Sequence, residues 1–320
     1  MFRKLVAVIL FVCLMLTTTA LAQPTELNAN VAALKGPTAM GMVKMMEDHA
    51  SEYNFTIASA IDEMTPKLVK GELDIAAVPA NLASVLYNNT KGQVQVLAIN
   101  TLGVLYIVEN GSTVASVQDL RGRTIFASGK GATPEYALNY VLSQNGIDPE
   151  KDVTIEWKSE HSECLAALVS TEGAVAMLPQ PFATTAQMKQ PGVQIVLDMN
   201  QMWDELQEGN DQTSKLITGV MVVRTEFAEQ HPETVAAFMD AYQQSVAYVN
   251  ENNDQAAALI GRYDIIPEAV AKVALPYCRI VYIDGQDMKT QLSGYLKVLF
   301  DQNPAAVGGA LPDDAFYFQK

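Results

Sequence analysis

Residues 120–157 read LRGRTIFASGKGATPEYALNYVLSQNGIDPEKDVTIEW and contain two short β-rich runs on either side of a helical run. The runs at 124–127 and 153–157 have the composition of strands, and residues 134–145 have the apolar spacing of a helix. A strand, a helix and a second strand in this order are typical of a βαβ unit with parallel strands. The stretch therefore predicts an α/β fold.

The same alternation continues on both sides of this stretch. Further strands are predicted at residues 27–34, 55–61, 74–78, 94–100, 104–109, 175–178, 193–198 and 219–224, and further helices at 40–52, 65–70, 81–87 and 163–171. From this order we expect largely parallel sheets. After Arg224 the pattern predicts consecutive helices with only loops between them, at 226–252, 255–263, 267–274 and 285–300.

A secretory signal peptide is predicted at residues 1–22. Arg3 and Lys4 precede an apolar run at residues 5–16, and residues 20–22, ALA, match the small-x-small pattern of a cleavage site. The run is shorter than the roughly 20 residues that span a bilayer. We therefore expect secretion through a cleaved signal peptide, into the periplasm or otherwise outside the cytoplasm.

The composition bounds the class of protein. Removing Arg3 and Lys4 with the signal leaves 19 basic residues against 36 acidic ones, a net charge of −17. This balance argues against nucleic-acid binding, which depends on clustered Lys and Arg. Roughly 300 mature residues favour two domains at about 150 residues each. We expect a monomer.

Sparse cysteine and histidine residues argue against a metal centre. Cys164 and Cys278 remain after cleavage, and the sequence leaves open whether they pair. His49, His161 and His231 are isolated, so no metal site is expected. Neither a dinucleotide fingerprint nor a phosphate loop is present, so no cofactor is expected.

Four predicted strand-to-helix junctions share an unusual composition: KGPTA at 35–39, VPAN at 78–81, SGKGATPE at 128–135 and LPQPF at 178–182. Glycine allows close approach of the backbone, proline fits the first helical turn, and Thr or Asn can cap a helix. Main-chain amides at the start of a helix attract anions and carbonyl oxygens. The four junctions together predict a cleft for a small ligand.

Residues 120–157, AMLPQPFATTA at 176–186 and ITGVMVVRTEFAEQHPETVAAFMDAY at 217–242 closely resemble the extracytoplasmic substrate-binding proteins of ABC importers. The resemblance is to the branch that takes nitrate, sulfonates, taurine and thiamine-pyrimidine precursors. It extends from about residue 27 to about residue 299. GPTAMG at 36–41 and VPAN stand in matching places.

The resemblance implies a type II bilobed periplasmic-binding-protein fold, with two α/β lobes joined by two hinge crossings near residues 100–105 and 216–220. Lobe I would then comprise residues 23–104 and 218–320, and lobe II residues 105–217. In such a Venus flytrap, the lobes close around a ligand by hinge rotation, and the closed form docks on an ABC permease in the membrane.

The resemblance also implies which residues touch the ligand. Those on the rim of lobe I are Gly36, Thr38, Ala39, Pro79, Ala80 and Asn81. Those of lobe II are Gly131, Ala132, Thr133, Pro134, Pro179 and Gln180, and Thr101 and Gly103 lie at the crossing.

The junction residues bear on the ligand's chemistry. Lys35 and Lys130 are their only cations, whereas an obligate anion often calls for Arg or Lys. Aromatic candidates for stacking or core packing are Tyr106, Tyr136, Trp157, Phe182 and Trp203. His161 fits either a pocket wall or an exposed position at a helix start. We favour a small organic molecule with a planar or carbonyl-bearing part, anionic at one end, over inorganic nitrate.

Two other functions fit the same resemblance. An enzyme on this fold would process a thiamine pyrimidine or a menaquinone precursor, but the chain has no cysteine cluster and no nucleophile motif, so we expect no enzyme. A ligand-sensing module for a membrane receptor would use the same cleft, and the sequence leaves this alternative open.

Overall fold

The computed structural model describes residues 29–208 and 214–319. The predicted signal peptide lies outside the described residues. None of the helices formed by the described residues is long and apolar enough to cross a membrane.

The fold has two lobes, each built on one mixed sheet. The sheet of lobe I consists of β1 Ala29–Leu34, β2 Tyr53–Ala58, β3 Ile75–Pro79, β4 Val94–Leu102, β10 Ile217–Arg224 and β11 Ile280–Ile283, in the order β11-β4-β10-β3-β1-β2. The sheet of lobe II consists of β5 Leu105–Asn110, β6 Thr124–Ser128, β7 Thr154–Lys158, β8 Val175–Pro179 and β9 Val193–Asp198, in the order β7-β6-β8-β5-β9. The predicted bilobed α/β class is confirmed.

Helices connect the strands and cover the sheets. They are α1 Pro37–Met40, α2 Val43–Asp48, α3 Thr65–Lys70, α4 Ala80–Thr90, α5 Thr133–Gln144, α6 His161–Ser170, α7 Phe182–Lys189, α8 Met199–Gln207, α9 Thr225–Gln230, α10 Pro232–Glu251, α11 Asn253–Arg262, α12 Glu268–Ala274 and α13 Gly285–Gln302. The largest buried cluster contains residues of both lobes. Within it, the ring of Trp203 on α8 lies 5.7 Å from that of Tyr295 on α13.

The expectation of largely parallel sheets is wrong. β1 is parallel to β2 and β3, and β6 to β7 and β8, but β10 is antiparallel to β3 and β4, and β5 to β8 and β9. The reason is the connection between the lobes: β4 passes into β5 after two residues, without a crossover helix, and β10 brings the chain back.

Each of the ten predicted strands is present, most with shifted ends, and residues 27 and 28 of the first lie outside the described residues. Four details of the helices and strands differ. The helix predicted at 40–52 is divided at Gly41 and Met42, since glycine is a poor helix former. The helix predicted at 226–252 breaks at His231, before Pro232. β11 interrupts the helical region that follows Arg224, and α7 and α8 were not predicted.

The pairing directions bring the carboxyl ends of the two sheets together. β4 is antiparallel to β10, which is antiparallel to β3, so β4 ends at the same edge as β3. β5 is antiparallel to β8 and begins beside its end, with Leu105 opposite Pro179. Since β4 leads directly into β5, the edge where β1 and β3 end faces the edge where β6 and β8 end. This is where ligands bind in open α/β sheets.

Candidate ligand-binding cleft

The first junction of lobe I joins β1 to α1. Gly36 precedes α1 with φ 125°, a conformation that favours glycine, and Pro37 occupies the first turn. The prediction that Thr38 caps a helix beginning near Met40 is wrong, because α1 begins at Pro37. The hydroxyl of Thr38 instead donates to the carbonyl of Leu34 at 2.9 Å, and both Thr38 and Ala39 are buried.

The second junction joins β3 to α4. Pro79 occupies the capping position and Ala80 begins the helix, so Asn81 lies inside the first turn and is not the cap that the sequence predicts. Its buried side-chain amide donates to the carbonyl of Ala306 at 3.3 Å. The side-chain oxygen of Asn81 consequently points away from this carbonyl and faces the Thr133 hydroxyl of lobe II, 3.4 Å away.

The third junction, in lobe II, joins β6 to α5. Gly131 has φ 81° and is exposed, and its amide donates to Glu135 Oε2. Ala132 precedes the helix, so Thr133 is its first residue and not its cap. Pro134 follows in the first turn. The φ of proline is already helical, so Pro134 helps to begin the helix here.

Thr133 crosses the gap between the lobes. Its side chain is buried, and its hydroxyl oxygen lies 2.8 Å from the hydroxyl of Tyr295 and 3.4 Å from Asn81 Oδ1. Tyr295 is fully buried. The junctions that the sequence assigned to different lobes are thus in direct contact, and Tyr295 is a member of this contact that sequence reasoning missed.

The fourth junction joins β8 to α7. Pro179 ends the strand, and Gln180 follows with only 1% of its surface exposed. Gln180 Oε1 accepts bonds from the amide and hydroxyl of Thr184, at 3.3 and 2.8 Å. Its Nε2 has no partner among the described residues. An unpaired buried donor is costly, so this amide group favours an acceptor that the described residues do not supply.

The crossing residues Thr101 and Gly103 join the two rims. The Thr101 hydroxyl donates to Asn100 Oδ1 at 3.1 Å, and the Gly103 amide donates to Asn200 Oδ1 at 3.1 Å. Gly219, on the second crossing, packs against the first junction. A β-carbon there would lie 2.5 Å from Asn100 Oδ1, so the close approach requires glycine.

Ser128 and His161 form a polar pair in lobe II that sequence reasoning did not select. Ser128 ends β6, and its hydroxyl oxygen lies 2.5 Å from His161 Nδ1 at the start of α6. The imidazole ring lies 5.3 Å from the ring of Phe182, and burial lowers the pKa of His161. His161 is partly buried and is the first residue of α6, whereas Glu160 occupies the capping position. Its position after a strand was the available signal.

The cations near the rims are largely paired or exposed. Lys35 forms an exposed ion pair with Asp264 at 2.9 Å, and Lys130 is exposed. Arg279, which precedes β11, pairs with Asp198 at the end of β9. An anion in the cleft would therefore depend mainly on main-chain amides and neutral side chains.

The aromatic candidates divide between core and rim. Trp203 is fully buried and donates to Ser214 Oγ at 3.2 Å, so it belongs to the core. Tyr106 and Tyr136 are also buried, whereas Trp157 and Phe182 are partly exposed. Of these five, Phe182 is the last residue of the fourth junction, where a ring can contact the apolar part of a ligand.

The cysteines and the acidic residues show no metal centre within the described ranges. Cys164 and Cys278 are buried free thiols in different core clusters, and burial raises the pKa of Cys278 to about 12. No group of three or more His, Cys, Asp or Glu residues in 29–208 and 214–319 has the geometry of a metal site.

Comparison with known families identifies the class. The family model of the periplasmic phosphonate substrate-binding protein of ABC transporters matches residues 42–265. Since the match covers more than half of the chain, the protein belongs to this family of periplasmic ABC substrate-binding proteins. The family predicted from the sequence is confirmed, and the chain has the family's function, the binding of a small ligand for import through a membrane permease.

Solved structures share the fold at low sequence identity. An ABC transporter protein from Parabacteroides distasonis is 22% identical, with a TM-score of 0.77 and coverage of 91% of this chain and 99% of that chain. The periplasmic aliphatic sulphonate binding protein SsuA from Escherichia coli is 17% identical, with a TM-score of 0.72 and 93% of both chains covered. The periplasmic nitrate-binding protein NrtA from Synechocystis PCC 6803 is 12% identical, with a TM-score of 0.56, covering 83% and 75%. No curated protein sequence matches the chain.

Proposed function

We propose that the chain captures a small organic anion, an alkylphosphonate or alkylsulfonate, between its two lobes and delivers it to the permease of an ABC importer. Lobe I comprises residues 23–104 and 218–320, and lobe II residues 105–217. A signal peptide, residues 1–22, is cleaved on export, and the mature chain acts as a monomer without enzymatic activity.

One observation carries this proposal: the first turns of α1 and α4 and those of α5 and α7 begin at facing sheet edges, and the Thr133 hydroxyl bonds to that of Tyr295 across the gap at 2.8 Å. The first N–H groups of a helix have no partner within it, and the helix dipole adds a partial positive charge. An acid group placed between the lobes would receive bonds from both, which stabilises the closed form over the open one.

The side chains support an organic acid. Gln180 Nε2 supplies a neutral donor, and the Ser128 and His161 pair supplies further polar groups without an unpaired cation. Phe182 offers an apolar surface for an alkyl group. The fourteen residues that the resemblance assigns to ligand contact remain the proposed site, with the main-chain amides of Thr38, Ala80 and Thr133 as its centre.

Thermal unfolding with ethylphosphonate, ethanesulfonate, propionate and nitrate tests the ligand class. At 100 times its dissociation constant, a ligand adds about 2.7 kcal/mol of stability. Stabilisation by ethylphosphonate or ethanesulfonate is expected. Stabilisation by nitrate alone, or by none of the four, would contradict the proposed class.

Gly131→Glu tests the site and has a matched control. Both Gly131 and Gly122 have positive φ, at 81° and 72°, and open space around the position of a β-carbon. Gly122→Glu therefore carries the same backbone strain and charge, away from the four junctions. Gly131→Glu should weaken binding and Gly122→Glu should not. Thr38→Asp should also weaken binding, because a carboxylate beside helix-start amides repels the acid group. Equal affinities of the two glutamate variants would refute the site.

An enzymatic function has one specific contact in its favour, because Ser128 and His161 lie at the distance of a nucleophile and its base. Incubating the protein with the ester ethyl hydrogen ethylphosphonate separates the two functions. Binding without hydrolysis supports the carrier, whereas turnover that Ser128→Ala abolishes would make the protein an enzyme.

A further inference from the structure

An ion pair joins the lobes beside the crossings. Arg279 Nη2 in lobe I bonds to Asp198 Oδ2 in lobe II, and their side chains are 31% and 23% exposed. Most surface ion pairs contribute little, but partial burial reduces screening by solvent and salt. The exposure of this pair places it between a surface pair and a buried one.

Neighbouring bonds hold both partners in place. Asp198 Oδ1 caps α8 by accepting from the amides of Asn200 and Gln201, at 2.9 and 3.2 Å. Asn200 in turn accepts from the Gly103 amide at the crossing. The carboxylate is therefore tied to the segment that must rotate when the lobes move.

Arg279 is held equally firmly on the side of lobe I. Its backbone has φ 45°, which is uncommon for a residue with a side chain, and its carbonyl accepts from the Leu102 amide at 3.2 Å. A second bond between the lobes lies beside it: the Tyr106 hydroxyl donates to the Tyr277 carbonyl at 2.9 Å. Burial raises the pKa of Tyr106 to about 12, so this phenol stays a donor.

The electrostatics of Arg279 agree with this arrangement. Burial alone would lower the pKa of its guanidinium, but the attraction of Asp198 and Tyr106 outweighs it and the pKa rises. The Nε of Arg279 has no partner among the described residues. Separating the lobes would remove the guanidinium from its carboxylate and expose both groups to water.

We infer that the Arg279 and Asp198 pair is a latch that sets the ratio of closed to open lobes before any ligand binds. This inference rests on the proposed closure of the lobes around the crossings. When only the closed form binds, the apparent dissociation constant rises as the closed fraction falls. The latch would then tune ligand affinity without touching the ligand.

Asp198→Asn tests the latch with little disturbance of α8, because asparagine is as good a helix cap as aspartate. Asp74→Asn is the matched control. It breaks the partly buried pair of Asp74 with Arg224, which lies within lobe I. Both changes remove one carboxylate charge, but only the first removes a bond between lobes.

The measurement is the distance between the lobes in the ligand-free protein. Spin labels on Glu150→Cys in lobe II and Glu229→Cys in lobe I are read by pulsed electron resonance, and the native cysteines are buried. Asp198→Asn should raise the ratio of open to closed forms about fivefold, the effect of roughly 1 kcal/mol. Asp74→Asn should leave the distances unchanged.

Arg279→Gln provides the second variant. It should reproduce the effect of Asp198→Asn, and the double variant should add little to either, because all three lack the same bond. Distances in Asp198→Asn and Arg279→Gln that match those of the native protein would overturn the latch. The distances between the lobes are measured without ligand. Failure of ethylphosphonate to bind would therefore refute the proposed ligand and leave the test of the latch intact.

Discussion

Thr133→Val is the most informative single change in the cleft, because it removes a hydroxyl and keeps the size and branching of the side chain. The hydroxyl lies 2.8 Å from that of Tyr295 and 3.4 Å from Asn81 Oδ1. The first distance is that of a good hydrogen bond, and the second is too long to contribute much. The variant leaves the fully buried phenol of Tyr295 without this partner.

The expected cost follows from that loss. Leaving a buried hydroxyl unpaired costs about 1–3 kcal/mol. We expect the lower half of this range, because opening of the lobes would let water reach the phenol. For a chain of this size, each kcal/mol lowers the melting temperature by about 2–4 °C.

Tyr295→Phe in the Thr133→Val background tests whether the unpaired phenol of Tyr295 causes the loss of stability. Replacing both partners of a hydrogen bond by apolar groups is close to neutral, so the double variant should regain most of the lost stability. The assay is urea unfolding of the native protein, both single variants and the double variant. A double variant no more stable than Thr133→Val, or Thr133→Val as stable as the native protein, would refute the reasoning.

Three further outcomes are expected. Burial lowers the pKa of His161. The contribution of the neutral imidazole to stability is therefore full above about pH 6.5 and is lost as the pH falls. His161→Asn should reduce the loss of stability between about pH 7.5 and 5.5, and an unchanged profile of stability against pH would contradict this. Gly219→Ala should destabilise by about 1–3 kcal/mol in urea unfolding, because its β-carbon would overlap Asn100, and native stability would contradict the packing. Cys164 and Cys278 should react with a thiol reagent only after unfolding under non-reducing conditions, whereas no free thiol would indicate a disulfide.

The sequence predicts the layers of the fold better than its connections. Alternating β-rich and helical runs locate ten strands, because side-chain burial imposes those periods directly. β11, at Ile280–Ile283, is too short to carry a period. The antiparallel strands follow from where the chain crosses between lobes, which local patterns do not encode.

The site shows the same division between local and distant information. The four junctions are visible because glycine, proline and capping residues act within a few positions. Helix starts shift by a few residues: α1 begins at Pro37, before Thr38, and α5 begins at Thr133, before Pro134, so neither threonine is the cap. The contacts of Thr133 with Tyr295 and of Asp198 with Arg279 join residues far apart in sequence, so only the folded chain brings them together.

A crystal structure of the mature protein with ethylphosphonate tests the central claim most directly. We expect phosphonate oxygens about 3 Å from first-turn amides of both lobes, including those of Thr38 and Thr133, with the Gln180 side-chain amide among the donors. A phosphonate bound outside the gap between the lobes, or held by one lobe alone, would contradict it.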